Sequence, residues 1–197
     1  LHAARTACQV KFLWKRHQAH QQDWIRHHDN VNNASSTVKR FPLILILDNL
    51  RSAYNVGSLF RTADATGCEM VLTVGITASL QNGLEKLQKA ALGAERTVPT
   101  QHFGILPDAL AYVSETYPDY SVIGLETTET SILYTNYTYS KKGVALILGN
   151  EVTGVDPSVL PTLDTIVEIP MFGSKNSLNV GVCAPIVLYE ILRQWES

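Results

Sequence analysis

The chain has 197 residues, of which 45% are hydrophobic and 17% are charged, and its formal net charge is −2. This composition fits one globular domain with a terminal extension, and no apolar run approaches the roughly 20 residues of a bilayer span, so we expect a soluble protein without a membrane partner. The cysteines lie far apart without ligand spacing, which argues against a disulfide framework or a metal site and favours a reducing compartment (Cys8, Cys68 and Cys183).

The N-terminal third of the chain is basic. Residues 1–62 hold nine Lys or Arg and three Asp or Glu, whereas residues 63–197 hold seven and fifteen, so the balances are +6 and −8. A basic segment can contact a phosphate backbone, and a solvated basic helix is the alternative. We predict a helix over 4–29, which has no acidic residue before Asp23 and also resembles the end of an organellar transit peptide. We expect a cytoplasmic protein, with an organelle as the alternative.

After a polar linker at 30–37, the chain alternates between apolar strands and helices. The run FPLILILD (41–48) is apolar up to its aspartate, as in a fully buried parallel strand. The other predicted strands are 69–75, 97–103, 120–126, 143–149 and 165–170, and the predicted helices are 55–67, 83–92, 105–117 and 177–194. This alternation predicts an α/β domain over 41–197, with a parallel sheet and flanking helices, behind an extension over 1–40.

Ligands of parallel sheets bind outside the carboxyl ends of the strands. Three polar, glycine-containing stretches follow predicted strands: LDNLRSAYNVGSLFRTADATG after the first, LGNEVTGVDP after the fifth and IPMFGSKNSLNVG after the sixth. The chain contains neither GxGxxG nor GxxxxGK[ST], which argues against the usual dinucleotide and P-loop sites. It also lacks the GxSxG elbow of α/β-hydrolases.

The first stretch predicts an amphipathic helix that presents an arginine. Its apolar face, which we expect to pack on the sheet, consists of Val56, Leu59, Phe60 and Ala63. Asn55 is predicted to cap the helix by accepting a hydrogen bond from a backbone N–H group.

Arg61 lies opposite this apolar face. Three small residues near it leave room for a ligand, namely Gly57, Ser58 and Ala65, and its guanidinium suits a phosphate or a carboxylate. An exposed Arg61 that pairs with Asp64 or Asp48 is the equal alternative.

In the second stretch, Glu151 lies between two glycines at a strand end. Gly149 and Gly154 allow turns and close approach of a ligand to the main chain, and the Glu151 carboxylate could accept hydrogen bonds or pair with an arginine. An ordinary strand–turn–helix connection is the commoner explanation of this stretch by itself.

In the third stretch, a turn precedes the last helix. Asn176 or Ser177 is predicted to cap this helix, and Asn179 to lie in its first turn, where its side chain can still reach a site. The remainder of the helix is apolar, as in a core or a subunit interface.

Together and in this order, the three stretches resemble the signature motifs of the SpoU (TrmH-like) family of RNA 2′-O-ribose methyltransferases, in the SPOUT superfamily. The matching residues are NVGSLFRTADATG, LILGNEVTGVD and IPMFGSKNSLNV followed by LYEILRQ, and KAALGAERTVP (89–99) is similar to a family segment between the first two motifs. The resemblance covers roughly residues 41–194. The chain departs from the family pattern at Gly181, where a serine is common, and at Cys183 and Pro185, where alanines are common.

The resemblance implies an active enzyme with a C-terminal trefoil knot, S-adenosylmethionine bound in that knot mainly by backbone groups, and a homodimer. By position in the motifs, the cofactor contacts would be Leu125, Gly149, Ile169 and Leu178. The catalytic group would be Asn55, Arg61, Glu151, Ser177 and Asn179.

A ribose 2′-hydroxyl is a weak acid that must lose its proton as it attacks a sulfonium methyl group. Base assistance and alignment should therefore dominate the catalysis. Arg61 matches the family's proposed proton acceptor, but a guanidinium normally keeps its proton. Either the site strongly weakens the hold of the guanidinium on its proton, or Arg61 anchors a phosphate while another group takes the proton. We favour anchoring with partial assistance.

RNA is the expected partner, with tRNA favoured over rRNA. Many rRNA-directed members of the family carry a larger N-terminal RNA-binding domain, whereas about 40 residues precede the methyltransferase domain here. A non-catalytic RNA-binding or assembly protein that kept the fold is the alternative. A small-molecule methyltransferase is a third interpretation, against which the basic N-terminal third weighs mildly.

Overall fold

One seven-stranded sheet forms the centre of the domain. The computed structural model describes residues 39–79 and 84–196, and the predicted N-terminal helix (4–29) and linker (30–37) lie outside them. The strands are β1 (Phe41–Asp48), β2 (Cys68–Val74), β3 (Thr100–Phe103), β4 (Ser121–Leu125), β5 (Ile132–Leu133), β6 (Val144–Leu148) and β7 (Thr165–Glu168). Their order is β3-β2-β1-β6-β4-β7-β5, and every pairing is parallel. The predicted α/β class with a parallel sheet is confirmed.

The helices of the described residues are α1 (Ala53–Ala65), α2 (Leu84–Ala91), α3 (Ala94–Thr97), α4 (Leu106–Thr116) and α5 (Val180–Glu196), with a 3-10 turn at Leu160–Thr162. The sequence patterns predict neither β5 nor α3, because elements of two and four residues are too short to show a period. The predicted start of β3 at residue 97 is wrong, because residues 94–97 are helical. The last helix begins at Val180 and not at residue 177.

Both faces of the sheet are buried, and β1 shows why its sequence is apolar throughout. Leu43, Leu45 and Leu47 belong to the core that α1, α2 and α5 cover. Ile44 and Ile46 belong to the opposite core, which contains the buried residues of α4. Successive side chains of a strand point to opposite faces, so a strand with helices on both sides carries apolar residues at every position.

The strand order brings the ends of distant strands together. After β3 the chain crosses β1 and places β4 on its far side, and β6 later enters between β1 and β4. The carboxyl ends of β1, β6, β4 and β7 therefore lie side by side, because parallel strands end at the same edge. The three polar stretches of the sequence follow β1, β6 and β7, so the topology gathers them at one edge.

Position 57 is a glycine for a reason other than the predicted one. A Cβ atom at this position would lie 2.5 Å from the Leu87 carbonyl oxygen and 2.6 Å from the Ala90 Cβ atom. Gly57 is buried, so the missing side chain allows α1 and α2 to pack closely, and it does not make room for a ligand beside Arg61.

Within the described residues, no helix has both the length and the apolar character needed to cross a bilayer. The trefoil knot and the boundary between the extension (1–40) and the methyltransferase domain (41–197) stay predictions.

Candidate active site

A cleft of about 720 Å³ opens at the carboxyl ends of β4, β6 and β7. The four residues predicted to contact a cofactor all line it, namely Leu125, Gly149, Ile169 and Leu178. Three of the predicted catalytic residues line it as well, namely Glu151, Ser177 and Asn179. The structure thus gathers seven of the nine predicted site residues around one cavity. Asn55 on α1 is hydrogen-bonded to two of them, Glu151 and Asn179, whereas Arg61, six residues further along the same helix, contacts none of them through a hydrogen bond or ion pair among the described residues.

Glu151 joins the loop after β6 to the N-terminus of α1. Its Oε2 atom accepts a hydrogen bond from the Arg51 backbone N–H at 2.8 Å, and its Oε1 atom accepts one from the Ser52 N–H at 3.1 Å. The Nδ2 atom of Asn55 also donates to Oε1, at 3.0 Å. A carboxylate beside free N–H groups at a helix N-terminus is favourable, because these groups carry partial positive charge.

Asn55 and Asn179 complete a chain of side chains through the three motifs. The Nδ2 atom of Asn179 donates to the Oδ1 atom of Asn55 at 3.3 Å, and Asn55 in turn donates to Glu151. The three residues come from the segments after β7, β1 and β6, and each of the two bonds spans about a hundred positions of sequence. A contiguous polar surface at the cleft rim results.

The predicted helix caps are wrong for both helices of the site. Ser52 caps α1, since its hydroxyl accepts from the Asn55 backbone N–H at 3.3 Å, which leaves the Asn55 side chain free to bond Glu151 and Asn179. Neither Asn176 nor Ser177 caps the last helix. Asn179 lies immediately before α5, and its Oδ1 atom accepts from the Gly181 N–H at 2.8 Å. Its amide nitrogen remains available for Asn55.

The hydrogen bonds of Glu151 also set its protonation. Partial burial raises the pKa of this carboxyl, but the N–H groups of Arg51 and Ser52 and the amide of Asn55 outweigh burial, so the pKa lies below its ordinary value. Glu151 is therefore ionised at neutral pH and is a weak base. Its geometry suits orientation of Asn55 more than removal of a proton.

Asn150 stabilises this loop and was not among the predicted site residues. Its Nδ2 atom donates to the Asn49 carbonyl oxygen at 2.6 Å, which joins the loops after β1 and β6. Its Oδ1 atom accepts from the N–H groups of Val152 and Thr153, at 2.9 and 3.2 Å. Its position beside Glu151, directly after a strand end, was the available signal.

Gly149 is required by the chain itself. A Cβ atom there would lie 2.1 Å from the Val155 backbone nitrogen and 2.2 Å from the Gly154 carbonyl carbon. The loop thus folds back over its own beginning, and Asn150 and Gly154 exchange backbone hydrogen bonds of 3.0 and 2.9 Å. This tight turn fixes the direction in which the chain runs from the end of β6 to Glu151.

The charges of the cleft suit S-adenosylmethionine, the cofactor that the resemblance implies. Glu126, Glu151 and Glu168 line the cleft, and its described lining residues include no Lys, Arg or His. A negatively charged wall favours a sulfonium cation, while Leu125, Ile169 and Leu178 offer apolar surface for the remainder of the molecule. Glu126 and Glu168 were not among the predicted site residues, although both lie at the carboxyl ends of strands.

Arg61 is exposed on α1. Its predicted alternative, an ion pair with Asp64 or Asp48, is wrong. Asp64 accepts a hydrogen bond from the Thr97 hydroxyl at 2.6 Å, and Asp48 accepts one from the Asn49 amide at 2.9 Å. Within the described residues, Arg61 has no hydrogen bond or ion pair, so its guanidinium is free to bind an anion from outside the domain.

Ser177 is also exposed and, across residues 39–79 and 84–196, forms no hydrogen bond. The same residues contain no group of three or more His, Cys, Asp or Glu side chains placed to hold a metal ion.

Comparison with known proteins agrees with this geometry. Residues 42–189 match the model of the SpoU rRNA Methylase family. Over 154 residues the chain is 34% identical to the 23S rRNA (guanosine-2′-O-)-methyltransferase RlmB of Pasteurella multocida, and the alignment covers 78% of this chain and 60% of that protein. This chain thus spans about three fifths of the length of that relative.

Solved structures share the fold. The SpoU methyltransferase AviRb of Streptomyces viridochromogenes, in complex with AdoMet, superposes with a TM-score of 0.71 at 25% identity, covering 82% of this chain and 60% of that one. The TrmH/SpoU tRNA modifying enzyme of A. aeolicus superposes with a TM-score of 0.70 at 26% identity, covering 81% and 78%.

Proposed function

Because the chain belongs to the SpoU rRNA methylase family, we propose that it is an S-adenosylmethionine-dependent RNA methyltransferase that acts on a ribose 2′-hydroxyl. The observation that carries the proposal is the chain of hydrogen bonds from Glu151 through Asn55 to Asn179 at the rim of an acidic cleft. Three separate segments converge there to present amides, which suits the binding of a sugar and its phosphate.

The cofactor would lie against Leu125, Gly149, Ile169 and Leu178, which all line the cleft. When bound, S-adenosylmethionine supplies an electrophilic methyl group on a positively charged sulfur atom. The acidic lining described above supports a charged donor at this position. The described lining residues offer no cation that would repel it.

The polar residues divide the work of holding the ribose. Glu151 is a positioning residue, because both of its oxygens accept hydrogen bonds from residues at the start of α1 and just before it, and because its lowered pKa makes it a weak base. It holds the Asn55 amide toward Asn179, and these two amides bind the ribose or its phosphate. Ser177, exposed at the cleft wall, is available for a further hydrogen bond to the substrate.

Arg61 anchors a phosphate of the RNA and gives partial assistance to the loss of the proton. Its exposure supports this role, because nothing withdraws its guanidinium from water and it has no partner within the described residues. Arg61→Lys distinguishes the roles: we expect RNA binding to weaken and methylation at saturating RNA to persist, as measured by turnover and by filter binding. Loss of turnover at saturating RNA, with RNA affinity intact, would favour Arg61 as the proton acceptor.

The class of RNA is the finer part of the proposal. The predicted class is tRNA, whereas the relative from Pasteurella multocida is named as a 23S rRNA enzyme and the A. aeolicus structure as a tRNA modifying enzyme. Because the chain spans only part of the RlmB length, its short N-terminal segment does not discriminate between the two. The homodimer and the compartment, cytoplasmic or organellar, likewise stay predictions.

The test is incubation of the full chain with methyl-labelled S-adenosylmethionine and, in separate reactions, bulk tRNA and rRNA. We expect label in alkali-resistant dinucleotides, which are diagnostic of 2′-O-methylation, and the labelled pool identifies the class of RNA. Asn55→Ala should abolish labelling while calorimetric affinity for the cofactor is retained. Label on a base nitrogen would contradict the reaction, and a wild-type chain that binds no cofactor would support the non-catalytic RNA-binding alternative.

A further inference from the structure

The exposed residues of α1 form one strip. Between positions 51 and 65 the exposed residues are Arg51, Tyr54, Ser58, Arg61 and Ala65. The helical members, Tyr54, Ser58, Arg61 and Ala65, are spaced three and four residues apart, which is the spacing of one helix face. Arg51 precedes the helix, and the hydrogen bond from its backbone N–H to Glu151 places it beside the helix N-terminus. The opposite face of the helix is buried against the core. We call Arg51, Tyr54, Ser58 and Arg61 the outer strip.

The outer strip adjoins the candidate active site along its length. The Arg51 backbone N–H donates to Glu151 at 2.8 Å, so the strip begins at the rim of the cleft. In its middle, the Ser58 hydroxyl lies 3.7 Å from the position of a Cβ atom built on Gly181, two residues after Asn179. A strand of RNA that places its ribose near Asn55 and Asn179 would therefore continue over this face.

Both arginines of the strip are available to anions. Arg51 and Arg61 are exposed, and neither side chain has a hydrogen bond or ion pair with any other described residue. The carboxylate of Glu151 accepts from the backbone N–H groups of Arg51 and Ser52 and from the Asn55 amide, and not from the Arg51 guanidinium. Exposed guanidiniums without a partner complement the phosphates of a nucleic acid.

Tyr54 lies between the two arginines in the sequence, and its side chain is exposed. Its exposed fraction is 56%, and within the described residues its ring stacks on no other ring and its hydroxyl has no hydrogen bond. Arg61 lies two helical turns further along, about 10 Å at 1.5 Å per residue. Arg51 precedes Tyr54 on the other side, outside the helix. An aromatic ring flanked by cations is the arrangement that binds unstacked bases and their phosphates.

We infer that the outer strip binds the single-stranded RNA segment around the target nucleotide: Tyr54 stacks on a base, and Arg51 and Arg61 hold phosphates on either side of it. This inference rests on the proposed function and extends it to Arg51 and Tyr54, which the motif resemblance did not select. Stacking of a base on an aromatic ring depends little on which base it is. Tyr54 therefore contributes to RNA affinity and to exposing the target ribose, and contributes less to the choice of base.

The experiment compares full-length wild type with Tyr54→Ala, Tyr54→Phe and Arg51→Gln in filter binding to end-labelled bulk tRNA and rRNA. Loss of one stacked base corresponds to a roughly five- to hundred-fold weaker affinity, which we expect for Tyr54→Ala. Tyr54→Phe keeps the ring and should bind as wild type does. Arg51→Gln should weaken binding and reduce the slope of log affinity against log salt by about 0.7–0.9, as for one lost phosphate contact.

The control is Lys141→Ala, which removes an exposed positive charge just before β6, at the amino edge of the sheet and away from the cleft. It should leave RNA affinity and its salt slope unchanged. Calorimetric affinity for S-adenosylmethionine should be unchanged in all four variants.

Wild-type RNA affinity in Tyr54→Ala, or no wild-type affinity for either RNA pool, would overturn the inference. So would a shift of Tyr54→Ala to a smaller species in sedimentation, since the strip would then be a protein interface. If the wild type methylates RNA and Tyr54→Ala binds RNA normally, the role of the outer strip is refuted and the proposed function is not. Absence of 2′-O-methylation by the wild type would refute the proposed function itself.

Discussion

The two edges of the sheet use their polar side chains differently. At the amino edge, Arg40 donates to the carbonyl oxygens of Cys68 and Thr97 at 2.8 and 2.5 Å, and Lys142 pairs with Asp119 at 3.1 Å. These side chains tie the starts of neighbouring strands together. The carboxyl edge also contains a network, from Glu151 through Asn55 to Asn179. Two exposed residues of the predicted site, Arg61 and Ser177, stay outside this network and have no partner among the described residues.

This difference separates stability from function in one fold. A polar group that is satisfied within the protein stabilises the folded state and offers little to a ligand. A polar group that is held in place but keeps free donors can bind a substrate without reorganisation. The carboxyl edge combines both kinds of group. Glu151 accepts three hydrogen bonds and holds Asn55 in place, whereas Arg61, on the same helix as Asn55, has no partner among the described residues.

The largest effect should come from Glu151→Gln at the carboxyl edge. The neutral amide has one acceptor atom in place of two and turns its NH₂ group toward donors of α1, so the Asn55 amide loses its orientation. We expect methylation of RNA to fall about 100-fold, as for misaligned catalytic groups, with calorimetric cofactor affinity unchanged. Glu115→Gln, an exposed glutamate on α4, is the matched control. Normal turnover in Glu151→Gln would show that the network is structural only.

The amino edge should respond in the opposite way. Arg40→Ala removes two hydrogen bonds to backbone carbonyl oxygens, so we expect the free energy of unfolding to fall by about 1–3 kcal/mol. Methylation per folded molecule should stay at the wild-type level. Urea denaturation and a turnover assay measure the two quantities, and Lys141→Ala serves as the control for removal of a positive charge. If Arg40→Ala reduced turnover without loss of stability, the separation between the edges would fail.

The smallest effect is a pH dependence of the carboxyl edge. The pKa of Glu151 lies below its ordinary value of 4.5 in the folded protein, so ionised Glu151 stabilises the folded state above that value. This contribution is lost as the pH falls through the lower, folded pKa. The melting temperatures of wild type and Glu151→Gln should therefore differ at neutral pH and converge as the pH falls below the ordinary pKa of a glutamate. A constant difference over that range would contradict the assigned pKa direction.

Much of the fold was predictable because burial leaves a local pattern. The run FPLILILD is β1 residue for residue, and the apolar face of α1 at Val56, Leu59, Phe60 and Ala63 is buried as predicted. The alternation of strands and helices indicated a parallel sheet. The two-residue β5 left no pattern, and the reason for Gly57 depended on the approach of Leu87 and Ala90 from α2.

The candidate site was predictable by position and by family resemblance, but not in its contacts. The seven predicted residues that line the cleft stand at strand ends or in the loops that follow them. Asn55 was predicted to cap the helix, because an asparagine that precedes apolar residues at helical spacing commonly begins a helix. Ser52 takes that role three residues earlier, at a distance that a local pattern does not resolve.

The sequence by itself determined which segments are buried, the order of the strands along the chain, and the arginine on the exposed side of α1. Only the tertiary structure decided that Glu151 meets Asn55 across 96 positions and that Asn179 meets Asn55 across 124. The physical reason is that hydrophobic periodicity reports the burial of a residue against its neighbours. The partner of a polar side chain depends on which strand ends lie side by side, and here the entry of β6 between β1 and β4 decides that.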